Sequence, residues 1–165
     1  TSGFRAMSLP LVSVNVITAS VMGRPEIKGA HDVVLLADCL AEDADYESAD
    51  MVVLPGGGVG TENLGKSEIV KEKCISFAKD KKAAAICAAP TVLAGLGLLE
   101  GRNATCYPGM ESMMHGAVMI PAKVVTDGNI ITGQAPGAAY VFALELIKSL
   151  LGEEAAEKIA AEIVL

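Results

Sequence analysis

Two short runs of apolar and small residues, each broken by a loop of small residues, constrain the fold of this chain most strongly. Residues 51–54 (Met-Val-Val-Leu) end at Pro55 and three glycines, and residues 83–86 (Ala-Ala-Ala-Ile) end at Cys87 and two alanines. A continuous apolar run is typical of a strand that is covered on both faces, as in parallel sheets. The two runs therefore predict a mostly parallel sheet with helices on both sides.

The remaining segments alternate between strand and helix patterns. In the helix predicted to start at Thr61 or Ser67 and to end at Lys79, apolar residues fall on one face and charged residues on the other. Such alternation predicts a three-layer α/β sandwich. The other predicted elements are strands at 12–21, 33–36, 103–106, 118–125 and 129–132, a loop at 22–30, a hairpin turn at 127–128, and helices at 91–98, 133–151 and 153–164.

Length and charge narrow the class of protein. The chain has 165 residues, which predicts a single domain over residues 1–165, with an atypical or truncated segment at 1–15. Its net charge of −7 argues against a nucleic-acid footprint or binding to an anionic membrane surface. We also expect no transmembrane helix and no signal peptide. The four cysteines have no CxxC spacing, which predicts a reducing cytoplasm, no metal site and no disulfide framework.

Cys87 lies where a predicted strand breaks into a helix. Ala88 and Ala89 follow it, and Pro90 suits the first turn of a helix because its missing N–H would have no partner there. The positive end of a helix dipole and the free N–H groups at its start favour the thiolate, which is the reactive form. A buried structural cysteine is the alternative for a lone thiol. The strand–Cys–small–small–Pro–helix pattern favours the reactive interpretation.

Three small-residue loops follow predicted strands: residues 55–60, 87–90 and 133–137. Ligands bind beyond the carboxyl ends of strands in such sheets, so these loops are expected to converge on one site. The backbone N–H groups of the glycine loop, together with that of Ala88, would form an oxyanion hole beside the Cys87 sulfur. That arrangement suits attack on a carbonyl and equally suits the stabilisation of a sulfinate. The alternatives are a tight structural turn and, more weakly, a phosphate loop, whose motif is absent.

Three motifs of this sequence together resemble the ThiJ/PfpI family, and in particular its Parkinson-linked DJ clade. They are residues 54–57 with Asn63 and Leu64, residues 85–90, and residues 132–137 with 142–144. The resemblance spans about residues 16–165. It implies a flavodoxin-like three-layer sandwich, related to class I glutamine amidotransferases and usually assembled as a homodimer.

The resemblance also assigns roles at the site. It implies that Cys87 is the nucleophile, that Gly57 and Ala88 are the backbone donors, and that the loop with Gln134, Ala135 and Pro136 forms the pocket wall. Gly56, Gly58 and Tyr107 are further candidates for the substrate pocket, although packing is the favoured role of Tyr107. It implies no cofactor. The implied partner is a small reactive carbonyl, in glyoxalase or deglycase chemistry on methylglyoxal-type compounds, or an oxidant. The alternatives are a non-enzymatic redox sensor or chaperone that uses oxidation of Cys87, and a PfpI-type cysteine peptidase, which is disfavoured because no histidine follows Cys87.

The sequence departs from the family pattern at two places. Gly3 and Phe4 are followed by Arg5 and Ala6, where the family has two acids, one of which hydrogen-bonds the cysteine. No acid partner for Cys87 is therefore assigned, and Glu62 is interpreted as an exposed helix residue. Tyr107 replaces a histidine that often precedes the proline, and His115 is interpreted as a loop residue. A structural role is favoured for Cys39, Cys74 and Cys106, and a resolving thiol is the alternative for Cys106.

Overall fold

The computed structural model of this protein describes residues 14–29 and 32–164. The segment around Gly3 and Phe4, and the start of the strand predicted at 12–21, lie outside the described residues. The chain divides into two compact units, with the boundary between Ser48 and Ala49. The prediction of a single domain stays a prediction.

The first unit contains two small two-stranded sheets. Strand β1 (Ala19–Ser20) pairs in parallel with β4 (Cys39–Leu40), and β2 (Glu26–Lys28) pairs antiparallel with β3 (Val34–Leu36). Within the described part of the strand predicted at 12–21, only β1 is regular. The loop predicted at 22–30 contains β2, because pairing with β3 supplies hydrogen bonds that outweigh the local turn signals.

The second unit is built on a four-stranded sheet in the order β5–β6–β10–β9. The first three of these strands are parallel to one another, and β9 runs antiparallel to β10. Asp127 faces Ile130 across this hairpin, so its loop is Gly128-Asn129, one residue later than predicted. The strands of the unit are β5 (Met51–Leu54), β6 (Lys82–Ile86), β7 (Asn103–Ala104), β8 (Val118–Met119), β9 (Val124–Asp127) and β10 (Ile130–Gly133).

Five helices accompany this sheet. They are α1 (Gly58–Lys66), α2 (Glu68–Asp80), α3 (Pro90–Gly95), α4 (Ala139–Leu151) and α5 (Glu153–Glu162). Of the two predicted starts for the helix that ends near Lys79, Ser67 is the one that caps α2, and α1 is a separate helix before it. The Ser67 hydroxyl accepts a hydrogen bond from the N–H of Val70 at 3.5 Å. Serine favours this capping position because its oxygen satisfies a free N–H of the first turn. No helix in the described ranges is long and apolar enough to cross a membrane.

The core of the second unit covers both faces of β6. Ala83, Ala84 and Ala85 are all completely buried, and alternate residues of a strand point to opposite faces. Phe142 of α4 packs with Ala84 and Ile131 on one face. Helices α2 and α3 also pack against β6. The result is the predicted α/β fold with a mostly parallel sheet, which places the carboxyl ends of β5, β6 and β10 side by side.

Candidate active site

Cys87 follows the last residue of β6 and has a left-handed backbone, with φ of +67°. This conformation is uncommon for a residue with a side chain and costs about 1–2 kcal/mol. The sharp turn it produces leads within three residues into α3, which begins at Pro90. The side chain is half-buried, so the thiol is held at a strained break between strand and helix with partial access to solvent. Such strain is a reason to suspect a functional role.

Two backbone hydrogen bonds hold Cys87 between neighbouring segments. Its N–H donates to the carbonyl of Gly133 at the end of β10 (2.9 Å), and its own carbonyl accepts from the N–H of Tyr107 (2.8 Å). The loop that begins at Gln134 and the segment around Tyr107 therefore both start beside the cysteine. The site is thus assembled from three separate stretches of the second unit.

Gly56 lies directly against the cysteine. A Cβ atom at position 56 would be 2.5 Å from the Cys87 Cβ, 2.8 Å from the Ile86 carbonyl oxygen and 3.1 Å from the Cys87 sulfur. Only glycine allows this approach, because real Cβ atoms do not come so close to other heavy atoms. The glycine loop after β5 is therefore packed onto the sharp turn at Cys87 between β6 and α3, which we call the elbow.

The two backbone groups predicted as oxyanion donors have no acceptor within the described ranges. Neither the N–H of Gly57 nor the N–H of Ala88 donates a hydrogen bond there. Gly57 has φ of +99°, which glycine adopts readily, and it immediately precedes α1. Ala88 is buried, whereas Gly57 is exposed. Two unpaired donors beside a thiol are the groups that an oxyanion requires.

The other predicted pocket residues differ in their hydrogen bonding and in their exposure. The N–H of Gln134 donates to the carbonyl of Lys123 at 2.9 Å, so this group is already paired. Ala135 is half-buried, and Pro136 is exposed at the start of a short 3₁₀ turn that ends at Ala138. Tyr107 reaches Cys87 through its backbone, while its side chain is 46% exposed. The role of the Tyr107 ring as a wall of the pocket therefore stays a prediction.

Two buried threonines, which the sequence analysis did not single out, tie the segment before Tyr107 to the sheet. The hydroxyl of Thr132 in β10 accepts from the N–H of Thr105 at 2.9 Å, and the Thr105 hydroxyl donates to the Ala122 carbonyl at 3.0 Å. Both side chains are about 98–99% buried. The sequence signal that could have identified Thr132 is a hydroxyl within an otherwise apolar strand. These contacts position the segment that bonds to Cys87.

The remaining cysteines differ from Cys87 in their surroundings. Burial raises the pKa of Cys74 to about 11, and burial together with the nearby Glu111 carboxylate raises the pKa of Cys106 to about 11. Burial, followed by the charges of Asp38 and Asp43, also raises the pKa of Cys39. A higher pKa lowers the thiolate fraction and hence the reactivity.

Glu62 and His115 do not pair with the cysteine. Glu62 lies in α1 with its side chain exposed, 3.9 Å from Lys66, and His115 is exposed in a turn. In the described part of the chain, no side chain hydrogen-bonds the Cys87 sulfur. The positions that the family pattern reserves for its acid lie outside that part.

The sequence of this chain is similar to a known protein family and to several of its members. The model of the DJ-1/PfpI family matches residues 4–149. The protein dj-1beta of Drosophila melanogaster is 37% identical over 150 residues, covering 89% of this chain and 80% of its own. A Pyrococcus abyssi protein that is named a deglycase is 33% identical over 129 residues, covering 77% of this chain and 78% of its own.

A solved structure has the same fold. The structure described as oxidised DJ-1 of Toxoplasma gondii superposes with a TM-score of 0.84 at 32% identity, covering 90% of this chain and 82% of its own. This likeness agrees with the flavodoxin-like architecture implied by the sequence motifs. The strained cysteine elbow, the glycine loop packed on it and the shared fold together support one conclusion: this chain belongs to the DJ-1/PfpI family.

Proposed function

We propose that this protein is a cysteine-dependent enzyme that acts on methylglyoxal-type carbonyls, with Cys87 as its nucleophile. The observation that carries the proposal is the left-handed Cys87, which lies against Gly56 and precedes Ala88 in the chain. Among the described residues, the N–H groups of Ala88 and of Gly57, which follows Gly56, have no acceptor. The deglycase name of the Pyrococcus abyssi relative adds support.

The reaction follows from these groups. The Cys87 thiolate adds to the aldehyde carbon, and the carbonyl electron pair moves to oxygen, where the N–H groups of Gly57 and Ala88 stabilise the negative charge. A base then moves the proton of that carbon to the neighbouring ketone carbon, and the proton that the thiol lost goes to the ketone oxygen, which becomes the hydroxyl of lactate. The hemithioacetal becomes a lactoyl thioester, so one carbon is oxidised while its neighbour is reduced. Water hydrolyses the thioester, which releases lactate and restores the thiol.

The test compares methylglyoxal consumption and lactate formation by the wild type and by Cys87→Ser. We expect the wild type to form lactate and the variant to lose at least about 100-fold in rate, since a hydroxyl is a much weaker nucleophile without an activating base. Cys39→Ser is the matched control, because Cys39 is half-buried in the other unit. Equal rates for the wild type and Cys87→Ser would refute the proposal.

A second candidate function is a redox sensor in which Cys87 is oxidised to sulfinate. The same N–H groups would donate hydrogen bonds to the sulfinate oxygens, and the related Toxoplasma gondii structure is described as oxidised. Intact mass after mild peroxide treatment tests this function. A gain of two oxygens at Cys87 alone, together with no carbonyl turnover, would favour the sensor over the enzyme. Cys87 left unmodified by either reagent would exclude both.

A further inference from the structure

Three hydrogen bonds link Cys87, the end of β10 and the segment after β7 into a closed ring. The Cys87 N–H donates to the Gly133 carbonyl at 2.9 Å, and the Cys87 carbonyl accepts from the Tyr107 N–H at 2.8 Å. The third bond runs from the Thr105 N–H to the Thr132 hydroxyl at 2.9 Å. The chain itself completes the ring, because Thr132 precedes Gly133 and Thr105 lies two residues before Tyr107. Both backbone polar groups of the strained cysteine therefore belong to one hydrogen-bonded ring.

The Thr132 hydroxyl is the one member of this ring that a change of side chain can remove. The other donors and acceptors are backbone groups, which every residue except proline has in full. Thr132 is 1% exposed and Thr105 is 2% exposed, so their hydrogen bond is shielded from water. The Thr132 hydroxyl also donates to the Val125 carbonyl of the neighbouring strand β9, at 3.4 Å. Its proton is thus directed toward β9, which leaves a lone pair for the Thr105 N–H.

The segment that carries Tyr107 is not joined to β10 by a backbone ladder. Strand β7 precedes this segment and pairs with β8 in a separate two-stranded sheet. At the far end of the β9–β10 hairpin, the Asn103 N–H donates to the Asp127 carboxylate at 2.8 Å. At the end beside Cys87, the corresponding contact is made by the Thr132 hydroxyl. This hydroxyl therefore determines where the Tyr107 N–H meets the Cys87 carbonyl.

We propose that Thr132 is a positioning residue for Cys87, whose hydroxyl keeps the cysteine in its left-handed conformation through the Thr105 and Tyr107 N–H groups. Strained backbone conformations persist only where the surrounding structure holds them. Without the hydroxyl, the Thr105 N–H is buried with no acceptor, so the segment shifts and takes the Tyr107 N–H with it. The Cys87 backbone then relaxes and its sulfur moves. Thr132 acts through the cysteine and not on the substrate.

Two substitutions separate the Thr132 hydroxyl from the shape of the side chain. Thr132→Val replaces the hydroxyl by a methyl group, whereas Thr132→Ser keeps the hydroxyl and removes the methyl group. Thr105→Val is the matched control, because Thr105 is equally buried and its hydroxyl donates to the Ala122 carbonyl at 3.0 Å, outside the ring. We expect both valine variants to lower the urea midpoint to a similar extent, since each loses a hydrogen bond of a buried threonine.

The first measurement needs no turnover. It is the rate at which iodoacetamide alkylates Cys87 in the folded protein at pH 7, followed by peptide mass mapping. We expect Thr132→Val to lower this rate by about 10-fold, because the displaced sulfur loses nearby N–H groups that favour the thiolate. Thr132→Ser and Thr105→Val should stay within about twofold of the wild type. The Tyr107 amide should exchange its hydrogen about 10-fold faster in Thr132→Val than in Thr105→Val, because its bond to Cys87 is weakened.

The second measurement rests on the proposed function. A misplaced nucleophile lowers kcat for methylglyoxal and leaves KM nearly unchanged, because the lost interaction is made only in the transition state. We expect kcat to fall by about 10- to 100-fold in Thr132→Val, while KM stays within about twofold. The kcat values of Thr132→Ser and Thr105→Val should fall by less than about twofold.

The outcomes separate this inference from the proposed function. An alkylation rate that is unchanged or higher in Thr132→Val, or that falls equally in Thr105→Val, would overturn the positioning role even if methylglyoxal is consumed. Equal exchange of the Tyr107 amide in the two valine variants would also overturn it, as would a Thr132→Ser protein that behaves like Thr132→Val. A wild type that consumes no methylglyoxal, while only Thr132→Val slows alkylation, would refute the proposed function and leave the positioning role. Thr132→Ala replaces Thr132→Val in each comparison if the valine variant does not fold.

Discussion

At the scale of single residues, the site depends on one strained cysteine and one glycine that has no room for a side chain. The left-handed backbone of Cys87 is an unfavourable conformation, and hydrogen bonds to Gly133 and Tyr107 keep the residue in it. Gly56 allows the loop after β5 to touch both Cys87 and the carbonyl of Ile86. The position of the sulfur therefore depends on the absence of a single methyl group.

We expect Gly56→Ala to displace the elbow. The added Cβ would lie 2.5 Å from the Cys87 Cβ and 2.8 Å from the Ile86 oxygen, so the backbone has to move. The free energy of unfolding should fall by about 1–3 kcal/mol, the usual cost of overpacking. The rate of methylglyoxal consumption should fall by about 100-fold, as for a displacement of about 1 Å at a reacting group.

Gly60→Ala is the control for this change. Gly60 lies in α1 with open space around it, so alanine there should raise the free energy of unfolding by up to about 1 kcal/mol through its helix propensity. Urea unfolding and lactate formation are measured for both variants. Wild-type values for Gly56→Ala in both measurements would contradict the close contact.

At the scale of elements, one side chain of the β9–β10 hairpin connects the sheet to the end of a helix by hydrogen bonds. The side-chain amide of Asn129 in the hairpin loop donates to the carbonyls of Ala78 at 2.7 Å and Lys81 at 2.9 Å, at the C-terminal end of α2. The last carbonyls of a helix have no partner within the helix. Asn129 thus stabilises α2 and fixes the hairpin at the same time.

We expect Asn129→Ala to lower the free energy of unfolding by about 1–3 kcal/mol, because helix-terminal carbonyls lose their donor. Asn103→Ala is the matched control, since the Asn103 side chain is exposed and only its backbone N–H bonds to Asp127. It should change the free energy by less than about 0.5 kcal/mol. Urea unfolding followed by circular dichroism measures both, and equal effects of the two substitutions would show that the Asn129 cap does not contribute.

At the scale of the whole molecule, folding suppresses the ionisation of the buried thiols. Cys74 is completely buried between α2 and its neighbours, and burial raises its pKa from 9.0 to about 11. A thiol whose folded pKa is raised contributes stability below pH 9, and this contribution is lost as the pH rises through the folded pKa, because the unfolded chain releases its proton first.

The urea midpoint of the wild type should therefore fall between about pH 9 and 11. Cys74→Ala removes this titration, so its urea midpoint should fall less over the same pH interval. Its urea midpoint at pH 9 should already be lower than that of the wild type, because a buried side chain is truncated. Parallel pH curves for the two proteins would contradict the raised pKa. The homodimer, the single domain and the cytoplasmic location remain predictions at this scale.

Much of the second unit could be predicted from local patterns. The apolar run of β5, the small-residue run of β6 and the Cys-Ala-Ala-Pro sequence after it specify two strands and a sharp entry into α3. Coverage of both faces is confirmed for β6 but wrong for β5, where Val53 is 42% exposed. Ser67 was one of the two predicted helix starts and caps α2, but the separate helix α1 before it was not predicted. The strand β2 was missed, because it depends on pairing with a strand whose register is not visible locally.

The sequence by itself determined the α/β class, the place of Cys87 at a break between strand and helix, and the family motifs, because these depend on periodicity and on neighbouring residues. Only the tertiary structure decided that Gly56 leaves no room for a Cβ atom beside the Cys87 side chain and that the Gly133 carbonyl accepts from the cysteine N–H. These contacts join residues that are remote along the chain. Their distances follow from strand order and helix packing, which no local pattern encodes.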